Sequence, residues 1–422
     1  MLLELPSAKG ESVLNKTAVP SRNLPDSKLM RLSDLVRLLQ KQNPQLEQAR
    51  LNYIAAKTVV PQTLAPNNPQ IGIQNTPMFN SPFNYNLNNG YTVSASQSFP
   101  FPGKKQKAAN VADSQANFMK TQWDSLFIQL LQQVKTNYYQ LQLLERQHEI
   151  TQDAIRRLEQ MKKIAKVRYA QNAGAFVDFL NAQVAQSGAE ADLFGLERQI
   201  EMVRQTLNTL VGREPGEPLD IQRETPPQKK PEQRLAELEE MALKNHPNVR
   251  GADTLVKGAK ENLDLSKLGY YPDFQVGMYY YKGNESLGFN PLNSWGMEFD
   301  VVVPLWFFTK EKYGIDQAKA GLYASQAGRK SIRQQVRLAV DIAHNALLQA
   351  IKQMDFIRSR QITEARTAYR LSLVNYANGT MPFINLLTAQ SNLKSTELAL
   401  IQSENQTIQA YTNLVAAVGS DI

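Results

Sequence analysis

The side chains with the most evident chemical capacity are few and scattered. The three histidines are His148, His246 and His344, and no two share the i,i+3 or i,i+4 spacing that sets a metal-binding pair on one helix face. The chain has no cysteine, so disulfides, thiolate metal sites and a thiol nucleophile are excluded. Its 11 methionines form no Met-x-Met cluster. Gly-rich phosphate loops, Gly-x-Ser-x-Gly elbows and His-Glu-x-x-His runs are also missing. Glu298 and Asp300 lie at i,i+2, which on a strand puts both carboxylates on one face; a wet wall is the plainer account of them than an acid–base pair. Asp178 stands third in an expected helix, where any negative charge is favoured by the helix dipole. The residues therefore point to no enzyme, no cofactor and no metal site. What the chain does must lie in the elements it builds.

Among 422 residues there are 47 Lys and Arg against 39 Asp and Glu, a net charge of +8. The excess is mild and spread along the chain. The densest basic run, Lys104-Lys105-Gln106-Lys107, is too short for the stripe that nucleic acid requires. No run approaches the ~18 apolar residues of a membrane helix. Met1-Leu2-Leu3 is too short for a signal-peptide core, so an exported chain is expected to carry its signal outside this sequence.

The two halves resemble each other. Asn43-Pro44 matches His246-Pro247, and Pro69 matches Pro272, both 203 residues apart. Phe99-Pro100-Phe101 matches Val303-Pro304-Leu305 at 204, while Tyr169 and Tyr376, Phe176 and Phe383, and Val211-Gly212 and Val418-Gly419 match at 207. Landmarks in constant order at near-constant spacing imply two copies of one unit. We divide the chain into an extended N-terminal segment (1–30), a first repeat (31–212), a Pro-rich linker (213–232) and a second repeat (233–422). In the first repeat the pattern predicts a helix over 45–64, strands over 69–78 and 90–100, and an uninterrupted helix over 104–170. At 1.5 Å per residue that helix is roughly 100 Å long. After a break at 172–174, a helix over 176–211 carries Leu193, Leu196, Ile200, Val203, Leu207 and Leu210, the alternating three-and-four spacing of a coiled-coil seam. The last helix has Ile408, Tyr411, Val415 and Val418 on its seam. The short and returning helices together match the long one in length and could stack end to end beside it.

The strands alternate. Tyr91, Val93, Ala95, Gln97 and Phe99 interleave with Thr92, Ser94, Ser96 and Ser98; Phe274, Val276, Met278 and Tyr280 share one face; Trp295, Met297, Phe299 and Val301 interleave with Gly296, Glu298 and Asp300. About ten residues with one apolar and one polar face is the pattern of a membrane-crossing barrel strand with a wet lumen. Ser94, Ser96, Glu298 and Asp300 are the expected lumen residues, and Tyr279–Tyr281 and Trp295 sit where an aromatic girdle would lie. A half-buried soluble sheet alternates in the same way, and a soluble, coiled-coil-rich scaffold is the alternative. In a bilayer, four strands cannot close a barrel and open edges cannot face lipid. Several chains must then share one barrel, of eight strands for two copies or twelve for three.

Residues ~30–420 resemble the TolC-type outer-membrane efflux proteins. The resemblance is carried by the duplicated helix–strand–strand–long helix–helix plan, by Tyr376 through Gly379-Thr380-Met381-Pro382-Phe383 to Asn385, Thr388 and Gln390, and by its counterpart from Tyr169 through Asp178 and Asn181 to Gln183. Ser98-Phe-Pro-Phe-Pro-Gly103-Lys104-Lys105 looks like the run of the CzcC-like heavy-metal branch. The resemblance implies an α+β membrane protein: a homotrimer with a twelve-stranded β-barrel, four strands per chain, in outer-membrane lipid. A long α-helical barrel would continue it through the periplasm, with a belt built from the linker and the chain ends. The two helix turns would form a periplasmic tip that docks an adaptor protein. That adaptor would be joined to an inner-membrane pump of the resistance-nodulation-division type, and the cargo would include metal cations. The gate residues implied are Asp178, Asn181, Asn385 and Thr388; where the family carries acidic residues after the second turn, this chain has Asn385 and Thr388. The docking turns are Asn172, Gly174, Gly379 and Thr380. A left-handed residue is expected at Gly379 and Asn172, and Phe176 and Phe383 are expected to pack between helices.

Overall fold

The computed structural model describes residues 29–75, 91–224, 232–282 and 293–420. The expected extended segment therefore lies outside them except at its end, as do 76–78 and 90 of the expected strands and 225–231 of the linker. The first half runs α1 (Leu32–Gln42), α2 (Pro44–Leu64), β1 (Gln70–Asn75), β2 (Tyr91–Phe99), α3 (Lys104–Ala170) and α4 (Phe176–Leu210). The second half runs α5 (Leu235–Asn245), α6 (Pro247–Lys267), β3 (Asp273–Lys282), β4 (Asn293–Val302), α7 (Lys310–Phe356), a π-helical turn (Ile357–Gln361), α8 (Ile362–Ala377) and α9 (Phe383–Val418). The order of elements in one half recurs in the other. No described helix is long and apolar enough to cross a membrane.

The expected helix stacking is present, and its joints are specific. Asn43 caps α2: its Oδ1 accepts from Leu46 N at 2.9 Å, while its Nδ2 donates to Leu210 O at 2.8 Å. One buried side chain thus closes the start of α2 onto the end of α4. In the second half His246 takes the same position and its Nδ1 accepts from Asn248 N at 3.1 Å. Only a neutral imidazole can accept there, and burial lowers the pKa of His246, which favours that form. Pro44 and Pro247 each open a helix where a missing N–H costs nothing. Gly212 and Gly419 end α4 and α9 at φ +79° and +76°. A side chain at Gly212 would collide with the backbone of Gln42, and one at Gly419 with His246 Cα. The glycines are needed both for their conformation and for the close approach.

Three apolar clusters lie along the rods. In the first half Leu35, Leu39, Val134, Tyr138, Leu207 and Val211 gather with Leu219 and Ile221 of the linker. The second half has Leu238, Val249, Val340, Leu347, Leu414 and Val418. Toward the turns lie Leu158, Met161, Ala182, Tyr376, Phe383 and Leu386. The seam residues Ile200, Val203, Leu207 and Leu210 of α4 all join the first cluster. In α9, Leu414 is fully buried although the sequence seam passed over it. The linker also pairs with the chain before α1: Met30 N donates to Asp220 O and Gln222 N to Met30 O.

The second long rod differs from the first by one residue. Lys310 follows Lys104 by 206 and Ala377 follows Ala170 by 207. The extra residue falls at the π-helical turn, the usual way for a helix to absorb a single insertion. Just past that turn's start, Arg358 donates to Glu404 at 2.9 Å. Arg146 of α3 reaches the other oxygen of the same buried carboxylate at 2.5 Å, so one acid ties both long rods to α9.

Replacing Asn43 with Ala removes the cap and strands the Leu210 carbonyl. The expected loss is about 1–3 kcal/mol, read as a lowered thermal unfolding midpoint. An unchanged midpoint would show that the stack does not depend on this joint.

Candidate functional site

The four strands form one antiparallel sheet in the order β1-β2-β3-β4. Its register settles which residues share a face. Val93 pairs with Tyr280 and Tyr280 with Trp295; Ala95 pairs with Met278 and Met278 with Met297; Gln97, Val276 and Phe299 form the next row, and Phe99, Phe274 and Val301 the last. Ile71 and Ile73 of β1 extend the first two rows. One face is thus apolar along these rows except at Gln97, and Lys282 and Asn293 lie beside Tyr91 at its far end. The other face carries Ser94 and Ser96, with Glu298 opposite Gly277 and Asp300 opposite Gln275. The four residues expected to share a wet wall do share a face. The girdle expectation is corrected in part. Tyr280 and Trp295 meet on the apolar face with ring centroids 4.9 Å apart, but Tyr279 and Tyr281 fall on the polar one, where the Tyr279 ring fills the space beside Gly296.

Among the described residues no helix packs along either face of the sheet. Met297 is 85% exposed and Trp295 74%. A soluble sheet hides its apolar face; this one displays it. The outer edges of β1 and β4 are unpaired.

At the far end of the rods the two turns meet. Asn172 is left-handed at φ +55° and Gly379 at +81°, as expected. Thr380 N and Oγ1 both donate to Asn375 O and close the second turn. Gly174 sits tight against Arg168. Tyr376 is only 1% exposed, and its hydroxyl donates to Asp178 Oδ2 at 3.0 Å. The guanidinium of Arg168 lies 4.5 Å from the centre of the Tyr376 ring and donates to the carbonyls of Tyr376 and Ala173. Arg168 and Asp178 of the first half therefore grip Tyr376 of the second. Asp178 does more than favour its own helix terminus. Burial, then the Asp178 carboxylate, raises the Tyr376 pKa from 10.0 to about 12. The raised value means that this contribution is complete below pH 10 and is lost as pH rises through about 12; the hydroxyl is a donor throughout the neutral range.

The other expected tip residues are not gathered there. Asn181 is exposed on α4. Asn385 and Thr388 line an open groove of about 610 Å³ between α8 and α9, with Glu364, Ala368 and Asn392. Phe383 is buried against Tyr376 at 5.2 Å, but Phe176 is 49% exposed and touches only Tyr169 and Phe179 among the rings. The expectation that both phenylalanines pack between helices therefore holds for Phe383 alone: α9 lies against the next rod within the chain, whereas α4 forms the chain's outer edge. Arg168 was not singled out from the sequence. The signal was available at the offset of 207, where Arg168 and Asp178 have only Asn375 and Asn385 as counterparts. Among the described residues no group of His, Cys, Asp and Glu is placed to hold a metal ion.

Long paired rods thus carry a small sheet whose apolar face is bared. Residues 35–213 and 238–420 each match the Outer membrane efflux protein family, and the chain belongs to it. This is a family of transport ducts, not enzymes. The same architecture is found in the outer-membrane channel OprN (TM-score 0.77, 18% identity, 92% of this chain and 90% of that one). It is found also in CusC (0.78, 16%, 92% and 92%) and in VceC from Vibrio cholerae (0.75, 16%, 92% and 96%). In sequence, the chain is 21% identical to nodulation protein T of Rhizobium leguminosarum bv. trifolii over 294 residues, 68% of this chain and 61% of that protein. It is 22% identical to toxin and drug export protein A of Aggregatibacter actinomycetemcomitans over 301 residues, 68% and 63%. The chain thus spans about three fifths of the length of these curated relatives.

Gly379→Val places a β-branched residue at φ +81°, at an expected cost of about 1–3 kcal/mol. Limited proteolysis should find the second turn cut faster than in the parent. Equal cutting would count against this turn geometry.

Proposed function

We propose that three copies of this chain form one passive exit duct across the outer membrane. The observation that carries this reading is the sheet: an apolar face that no helix covers, with two open edges. In lipid each unpaired edge group costs several kcal/mol, so β4 of one copy must pair with β1 of the next. Three copies give twelve strands, the number the family resemblance implies. The serine-rich face with Glu298 and Asp300 then lines the lumen, and the rods continue the wall away from the membrane. Met30 and the linker residues Asp220–Gln222 that pair with it belong to a belt around the rods.

The turns at Asn172–Gly174 and Gly379–Thr380 form the tip and dock a periplasmic adaptor, itself joined to an inner-membrane pump of the resistance-nodulation-division type that supplies the energy. Arg168, Tyr376 and Asp178 form a latch that holds the two turns of each copy together in the closed tip. Asn181, Asn385 and Thr388 line the approach without adding charge. Metal cations are the cargo we propose first, on the Ser98–Lys105 run and the acidic pair in the lumen. The relative named for toxin and drug export supports an organic cargo as the second reading.

Light scattering that separates protein from detergent should give the mass of a trimer, soluble only with detergent. A monomer or dimer stable without detergent would overturn the duct and leave a coiled-coil scaffold. Tyr376→Phe removes a hydrogen bond to a charged group, about 1.5–3 kcal/mol, and so should shift the closed-to-open ratio roughly 10- to 150-fold per latch. Conductance in planar bilayers should rise accordingly; parent-like conductance would show that the latch does not hold the gate.

A further inference from the structure

The passage from strand to long helix differs between the halves. Val303 follows Phe99 by 204 residues, but Lys310 follows Lys104 by 206. The second passage is therefore two residues longer, and it reads Leu305-Trp306-Phe307-Phe308-Thr309 where the first has Phe101-Pro102-Gly103. In the first passage Phe101 stacks on Tyr271 at 4.4 Å, and Lys104 is tied to Asp273 at 2.7 Å. In the second, Phe307 approaches Tyr270 at 6.1 Å and Phe308 packs edge-on to Phe307 and Trp306, yet Trp306 remains 69% exposed. Lys310 and Lys312 follow at once, both exposed.

Placement identifies what covers this turn. It continues directly from Val301 and Val303 at the end of the sheet's apolar face, opposite the end that carries Tyr280 and Trp295. The ten residues of β4, at about 3.3 Å each and tilted about 40°, climb roughly 25 Å. That is the height of the apolar band between the two aromatic levels of a membrane barrel. An amphipathic indole flanked by phenyl rings, with lysines just beyond, suits the headgroup level, where the indole meets the glycerol region and ammonium groups meet lipid phosphates.

Resting on the duct reading, we infer that the Leu305–Lys312 turn is an anionic-phospholipid site in the helix-side leaflet, with Trp306 and Phe308 inserted beside the acyl chains and Lys310 and Lys312 holding the headgroup. Because only the second passage carries the insertion, an assembly has one such site per chain rather than two.

The test uses the three tryptophans, Trp123, Trp295 and Trp306. The full-length W123F/W295F variant leaves Trp306 alone, and W123F/W306F leaves Trp295. Each is reconstituted in mixed phosphatidylcholine and phosphatidylglycerol vesicles in which one lipid is brominated on its chains. The Trp306 emission should be lost more to bromines near the glycerol than to bromines near the chain ends. It should also be lost more when phosphatidylglycerol carries the bromine, and K310Q/K312Q should abolish that preference. Equal quenching by the two lipids overturns headgroup recognition. If Trp295 is quenched while Trp306 is not, the turn is covered by the next copy, so the inference fails and the duct stands. If neither is quenched, the sheet is not in the bilayer and both readings fail.

Discussion

A strand edge carries a row of N–H and C=O groups that water can satisfy and hydrocarbon cannot. Much of this molecule follows from that constraint. Its sheet has four strands, too few to close on themselves, and it presents an apolar face with no helix to cover it. The chain alone therefore cannot be the functional object in a membrane. Duplication of the helix–strand–strand–helix plan brings the strands of both halves into one continuous antiparallel sheet, with β2 of the first half paired to β3 of the second. Among the described residues the edges left open are those of β1 and β4, at the outer limits of the sheet, where a neighbouring copy can reach them.

The rods answer a second requirement, that a wall much longer than an ordinary helix be built without gaps. Each long helix is matched by two shorter ones laid end to end. The weak point of such a stack is its joint, where helix ends leave unpaired backbone groups. Asn43 satisfies groups on both sides of that joint at once, and Gly212 lets the backbones approach closely enough for it to do so. Ion pairs between rods, such as Lys107 with Glu261 and Asp264 and Arg157 with Glu397, fix the lateral register. They are partly exposed, so they serve alignment more than stability.

The sequence shows periodic and local features well. The alternation in β2 and β4, the seam of α4, the uninterrupted length of α3 and the left-handed residues at Gly379 and Asn172 are all properties of short stretches. The grip of Arg168 and Asp178 on Tyr376 is not, because Tyr376 and Asp178 lie 198 residues apart and meet only once the rods are aligned. Alternation gave the faces of the strands, but matching Phe176 to Phe383 across the halves did not give the exposed state of Phe176. That depends on which rod lies next to α4, and within one chain none does on that side. The π-helical turn has no proline or glycine to announce it; its trace in the sequence is a one-residue drift in the repeat.

That turn has a consequence for the wall as a whole. Adding one residue to a regular helix rotates everything beyond it by about 100°, which would swing the apolar stripe of α8 out of its groove. Widening a single turn absorbs the rotation, so α8 and α9 keep the same phase relation as the lower part of α3 and α4. The second rod thus keeps step with the first on both sides of Ile357 although it is one residue longer. A partner that reads the ridges of the two rods would meet the same phase on either side of that turn, and a widened backbone on the second rod alone.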